Sequence, residues 1–227
     1  MGDNTVNSLR SDRRNNLLEL IVVLLLGVTT IASSFAAFQA SLNEGEASAS
    51  YNEGVATITN ANSLYISAGQ RISNDMSLYQ SLLLLNEQVD NAEASADKEK
   101  LQKMVDDFSA KFINEELTAA IKWSKAQEAK TGVYTSPFES QDYLTAIYTD
   151  AEKVYESGQK MLENGHAYKE TGERMGLIVI YFATVLFLLG VCNAIRNIKI
   201  KLGLMGFSTA LFVFAAIQLF SIPLLTP

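Results

Sequence analysis

The sequence predicts an all-α membrane protein: three transmembrane helices with an extracytoplasmic, antiparallel, coiled-coil-like helical domain between the first and the second. Three observations predict it. Hydrophobic residues make up 48% of a chain that is also 19% charged, and the two classes are segregated along it. Apolar runs at 17–38, 176–195 and 202–225 hold 22, 20 and 24 residues, and about 20 helical residues cross a hydrocarbon core of roughly 30 Å. The polar stretch between the first two runs keeps apolar residues three and four apart, the period of one helix face.

Residues 1–16 read as a cytoplasmic N-terminus, because Arg10, Arg13 and Arg14 precede the first span (17–39) and short basic flanks stay inside. Small residues at Ser34 and Ala36 also suit a cleaved signal peptide, but the run is long and continues without proline into a helical pattern, which favours an uncleaved anchor. Residues 40–174 carry 12 basic and 22 acidic residues and read as outside. The second span (175–195) returns to a basic link, 196–201, holding Arg196, Lys199 and Lys201, and the third (202–225) crosses again. The expected location is the cell membrane, multi-pass, with the C-terminus extracytoplasmic. Within the spans, Glu19 sits at the cytoplasmic end of the first and is expected to form an interfacial ion pair with Arg196 or Lys199. Thr29, Thr30, Ser33 and Ser34, with Gly203, Gly206 and Ser208, form a helix-packing signal.

Two stretches of the external part keep a seven-residue repeat. The outgoing one is Tyr51, Val55, Ile58, Asn62, Tyr65, Gly69, Ile72, Met76, Tyr79 and Leu83; the returning one is Leu144, Ile147, Ala151, Val154, Gly158, Met161, Gly165 and Tyr168. Both adjoin a span, so they are expected to pair antiparallel. Gly158, Gly165 and Gly172 share one stripe. Glycine inside a helix costs roughly 1 kcal/mol relative to alanine, and close helix approach is the compensation expected here. With Ala40 beside Arg174, the register sets Gly165 near Ala49 and Gly158 near Ala56. Residues 94–130 read as one amphipathic helix, from Leu101, Met104, Phe108, Phe112 and Leu117, giving three helices in all. Gly132 and Pro137 mark a break at 131–140, and Trp123 and Tyr134 are expected to cap the end of the bundle there.

The residues point to no catalytic, cofactor-binding or metal site. His166 is the only histidine and Cys192 the only cysteine, so neither a His-rich metal centre nor a disulfide can be assembled. No glycine-rich phosphate loop follows a strand pattern. The acidic pairs Asp106–Asp107 and Glu115–Glu116 read as solvated helix faces, and the negative external domain argues against nucleic acid.

The run at residues 35–47, FAAFQASLNEGEA, followed by Tyr51 and the polar helix through Ala61 and Asn62, resembles a group of uncharacterised bacterial three-span membrane proteins and, more loosely, the bacterial DUF4337 proteins. Here phenylalanine, Phe35 or Phe38, stands where that group has tryptophan. The resemblance covers both ends and leaves out 94–140. It implies the same topology in a bacterial cytoplasmic membrane, and brings no activity. The expected function is therefore a non-enzymatic interaction or scaffold protein using its external helices, with the lipid bilayer, a second copy or another membrane protein as partner. The alternative is a subunit of a channel, transporter or sensor complex.

Overall fold

Proline occurs three times, at positions 137, 223 and 227, so nothing in the first 136 residues removes a backbone donor from a helix. The computed structural model describes the backbone of residues 3–195 and 197–224, and side chains from residue 16 onward. Its helices are α1 (Asp3–Asp90), α2 (Ser95–Phe112), α3 (Glu115–Thr131), α4 (Gln141–Ala194) and α5 (Ile198–Ser221), with one 3-10 turn at Pro137–Glu139. No strand occurs among the described residues. Three of the helices, α1, α4 and α5, are long and apolar enough to cross a membrane.

Helix ends follow local chemistry. Pro223 biases Ile222 toward extended backbone, and Ile222 ends α5 at φ −93°, ψ 136°. Gly132 closes α3 in the left-handed region at φ 70°, its N–H on the Glu128 carbonyl, a conformation glycine adopts at least cost. Asn197 caps α5, its Oδ1 accepting from the Lys199 N–H at 3.1 Å, so α5 starts at Ile198 and Lys199 and Lys201 are helical rather than part of an irregular 196–201 link.

The single helix expected over 94–130 is two. Asn114 breaks it: its backbone is extended and its Oδ1 accepts from the Leu117 N–H at 2.8 Å, a strong N-cap. Glu115 and Glu116 follow in the first turn, where negative charge suits the helix dipole.

The chain forms two compact units. One comprises Met1–Asn52 and Met161–Pro227, the other Glu53–Lys160. In the first, Ala36 of α1, Met175, Ile178 and Phe182 of α4, and Ala215 and Leu219 of α5 form one buried cluster, and Val22, Val185, Leu189 and Cys192 form a second. Thr29 and Ser208 are buried and return their hydroxyls to Leu25 and Leu204 carbonyls four residues back. Gly203 and Gly206, expected as packing residues, face open space.

In the Glu53–Lys160 unit, Ala68, Leu117, Ala120, Tyr143 and Ile147 form one core and Leu82, Val89 and Val105 another. Half of the seam expected along α1 is displaced there by one residue. Gly54, Ala61, Ala68, Asp75, Leu82 and Val89, seven apart, are buried, whereas Val55, Asn62, Gly69, Met76 and Leu83 are exposed. At positions 54, 61 and 75 the reason is size: glycine, alanine and a short carboxylate are turned inward, and the bulkier Val55, Asn62 and Met76 outward. On α4, Ile147, Ala151 and Gly158 are buried. Trp123 is half-buried and Tyr134 exposed.

Candidate functional site

Glu19 and Lys201 form a charged contact inside an apolar unit. Lys201 Nζ lies 3.6 Å from Glu19 Oε1, with the lysine side chain 6% exposed and the glutamate 55%. This corrects the expected pairing of Glu19 with Lys199, which is exposed; Arg196, the other expected partner, lies outside the described residues. Capping at Asn197 fixes the helical phase. At 100° per residue, Lys201 points roughly 200° away from Lys199, into the interior. Cys192 donates its thiol to the Lys201 carbonyl at 3.4 Å.

All three stripe glycines lie against α1. A methyl group built on Gly158 would meet Ile58 Cγ1 at 2.7 Å, the Gly54 carbonyl oxygen at 3.1 Å and the Ile58 backbone nitrogen at 3.1 Å. On Gly165 it would meet the Ala47 oxygen at 3.2 Å and Ser50 Cβ and Tyr51 Cδ1 at 3.3 Å; on Gly172, the Ala40 oxygen, Asn43 Cβ and Glu44 Cγ at 3.4 Å. Ala49 and Ala56, expected as the facing residues, are exposed. The contacts fall on the residues that bracket them, because one glycine fits between successive turns of the neighbouring helix rather than opposite a single side chain. Beside Gly172, Gln39 and Asn43 are buried, and Asn43 Nδ2 donates to the Gln39 carbonyl at 2.8 Å.

The most constrained polar group of the Glu53–Lys160 unit is Asp75, 3% exposed. Tyr143 of α4 donates its phenol hydroxyl to Asp75 Oδ2 at 2.7 Å, and Asn114 Nδ2 reaches Oδ1 at 3.2 Å and Oδ2 at 3.4 Å. Asn114 holds the α3 cap with its other amide atom, so one carboxylate on α1 ties the start of α3 to the first turn of α4. Nearby, Arg71 pairs with Glu116 at 2.9 Å. The Glu116 carboxyl is held below its ordinary range by its own backbone N–H and then by Arg71. Asp75 is occluded from solvent and accepts from two neutral donors, an arrangement that fixes helices and offers no access to a substrate.

Three phenols, Tyr65, Tyr79 and Tyr143, are raised above their ordinary value, with burial the largest cause at each. Tyr79 is raised to about 12, by burial first and then by its hydrogen bond with Tyr134. Tyr143 is also raised, by burial and then by the Asp75 carboxylate. An unfolded tyrosine ionises near 10, so the unfolded chain loses these protons first; the stabilisation is complete below pH 10 and is lost as pH rises through the folded values. The midpoint of thermal unfolding, followed by circular dichroism, should be flat near pH 8 and fall between about pH 10 and 12. Tyr79→Phe should flatten part of that slope.

Among the described residues no group of three or more His, Cys, Asp or Glu is placed to hold a metal ion, and His166 is exposed. Sequence reasoning missed Asp75, Asn114, Tyr143 and Lys201. The available signals were Asn114 before Glu115–Glu116, which is a cap pattern, and the seven-residue spacing of Asp75 from Ala68 and Leu82. No family model matches this sequence, and no curated protein or solved structure shows significant similarity to it.

Proposed function

We propose that this chain is a non-enzymatic interaction or scaffold protein of a bacterial cytoplasmic membrane, working through extracytoplasmic helices that pair antiparallel in the manner of a coiled coil. The observation that carries this reading is a stripe on α2. Met104, Phe108 and Phe112 recur every four residues, the Phe108 and Phe112 rings meet in a tilted contact at 5.1 Å between centroids, and Met104 and Phe112 remain 48% and 49% exposed. Exposed apolar groups gathered on one helix face suit a protein contact, and the engagement of Asp75, Asn114, Tyr143, Arg71 and Glu116 within the unit suits a structural role. The partner is a second copy or another membrane protein. Met104→Glu with Phe112→Glu should abolish crosslinks formed in cells from a photoreactive residue at Lys111, while expression holds; crosslinks that persist unchanged sink the reading.

The proposed orientation rests on the basic flanks and the acidic centre. In a Cys192→Ala background, a cysteine at Ser95 should react with a membrane-impermeant reagent on intact cells, and one at Asn197 should react only after permeabilisation. The reverse pattern would invert the topology. A second reading, a subunit of a channel, transporter or sensor complex, is favoured by the Lys201–Glu19 pair, since ionisable groups on membrane-spanning helices are often functional.

A further inference from the structure

We propose that the cleft between α4 and the end of α5 is a phospholipid site, with Arg174 holding the headgroup phosphate. The cleft, about 270 Å³, is lined along α4 by Thr171 and Arg174 and then by Leu177, Ile178 and Tyr181, and along α5 by Phe214 and then by Gln218 and Ser221, with Ile222 and Pro223 beyond the helix end. From Arg174 and from Ser221 inward along the two helices the lining passes from polar to apolar. Arg174 stands immediately before the apolar stretch of α4, and Ser221 is the last residue of α5. The cleft therefore lies where two membrane-spanning helices leave the hydrocarbon, at the end opposite the Asn197 turn. A phospholipid is the one molecule that a bilayer necessarily presents at that depth, phosphate outward and chain inward.

The residues match that occupant. Arg174 is exposed and gives one hydrogen bond to Glu170, at 2.7 Å, in a solvent-facing pair four residues apart. Of five guanidinium N–H donors, others are directed away from that carboxylate, and a planar guanidinium suits a phosphodiester. Tyr181 and Phe214 meet edge to face at 5.6 Å, forming an apolar wall for an acyl chain. The opposite sign is present too. Glu170 and the carbonyl end of α5 both disfavour excess negative charge, so the site suits a singly charged phosphodiester followed by a donor group rather than a multiply charged headgroup.

The test uses the full chain in mild detergent with phosphatidylglycerol as the probe, read by native mass spectrometry. Recovery in the membrane pellet after alkaline extraction checks separately that the chain is embedded. The expected result is one retained lipid, with occupancy about tenfold lower in Arg174→Gln, largely kept in Arg174→Lys, and unchanged in Lys199→Gln at the opposite end of α5. Inorganic phosphate at millimolar concentration, which lacks acyl chains, should leave the occupancy intact. Equal retention by Arg174→Gln and the unaltered chain overturns the proposal. So does an equal loss in Lys199→Gln, which would mean unspecific lipid around any basic residue, or displacement by free phosphate.

Discussion

Gly158→Leu is expected to destabilise the Glu53–Lys160 unit by about 1 to 3 kcal/mol, the cost of overpacking a close contact. Even a methyl group there meets Ile58 Cγ1 at 2.7 Å and two backbone atoms of α1 at 3.1 Å. Cγ1 is bonded to the branched β carbon, whose rotamer is restricted in a helix, and the backbone cannot retreat without moving the helix. The three glycines should separate in an alanine series, since removing a helical glycine returns up to roughly 1 kcal/mol. Gly172→Ala, whose new methyl sits at ordinary contact distances of 3.4 Å, should be neutral or stabilising. Gly165→Ala, at 3.2 to 3.3 Å, should fall near zero, and Gly158→Ala should lose stability. Thermal unfolding in detergent orders the three, and an inverted order refutes the register. Crosslinking checks it independently. With Cys192 replaced by alanine, a cysteine pair at Ser50 and Gly165, whose β positions lie 3.3 Å apart, just under the roughly 3.5 to 4.5 Å found in disulfides, should bridge within one chain under mild oxidation after a small adjustment. A pair at the exposed Ala49 and Gly165 should not.

What was legible in the sequence is what one-dimensional pattern encodes. Three helices long and apolar enough to cross a membrane could be read because bilayer thickness sets a length and no proline interrupts residues 1–136 or 138–222; α5 ends at Ser221, before Pro223 and short of the expected 225. The returning positions Ile147, Ala151, Gly158 and Gly165 could be read because apolar and small residues recur there with helical period. On α1 the same reasoning chose Val55 and Met76 over Gly54 and Asp75, because hydrophobicity ranks a bulky side chain above glycine or a carboxylate. Close approach ranks them the other way, and that preference becomes visible only when the facing helix is present. Lys201 was passed over for Lys199 for a related reason: which lysine points inward depends on where α5 starts, and a single side-chain cap at Asn197 sets that point. The break at Asn114 was obscured by apolar residues that continue across it, Phe112 before and Leu117 after.

Asp75→Ala is expected to be the most damaging polar substitution in the Glu53–Lys160 unit, costing about 2 to 5 kcal/mol. The carboxylate is 3% exposed and receives the Tyr143 hydroxyl and the Asn114 amide; its loss strands two donors, at about 1 to 3 kcal/mol for each that stays buried and unpaired. Against a total stability of about 5 to 15 kcal/mol, that is a large fraction. Asp75→Asn should cost less but should not be neutral. One carbonyl oxygen remains for Tyr143, but the new amide hydrogens face those of Asn114, and Asn114 cannot turn its own amide without releasing the Leu117 N–H that it caps at 2.8 Å. Tyr143→Phe removes one donor and leaves the carboxylate with Asn114, a milder change. Combining Asp75→Leu with Tyr143→Phe should recover part of the loss, since replacing both members of a buried pair by apolar groups is far less costly than removing one. Thermal unfolding gives the ordering, and hydrogen exchange at the Leu117 amide reports whether the α3 cap has loosened with it. If Asp75→Ala melts with the unaltered protein and the Leu117 amide stays protected, then α3 and α4 are held by the apolar contacts of Leu117, Ala120 and Ile147 alone.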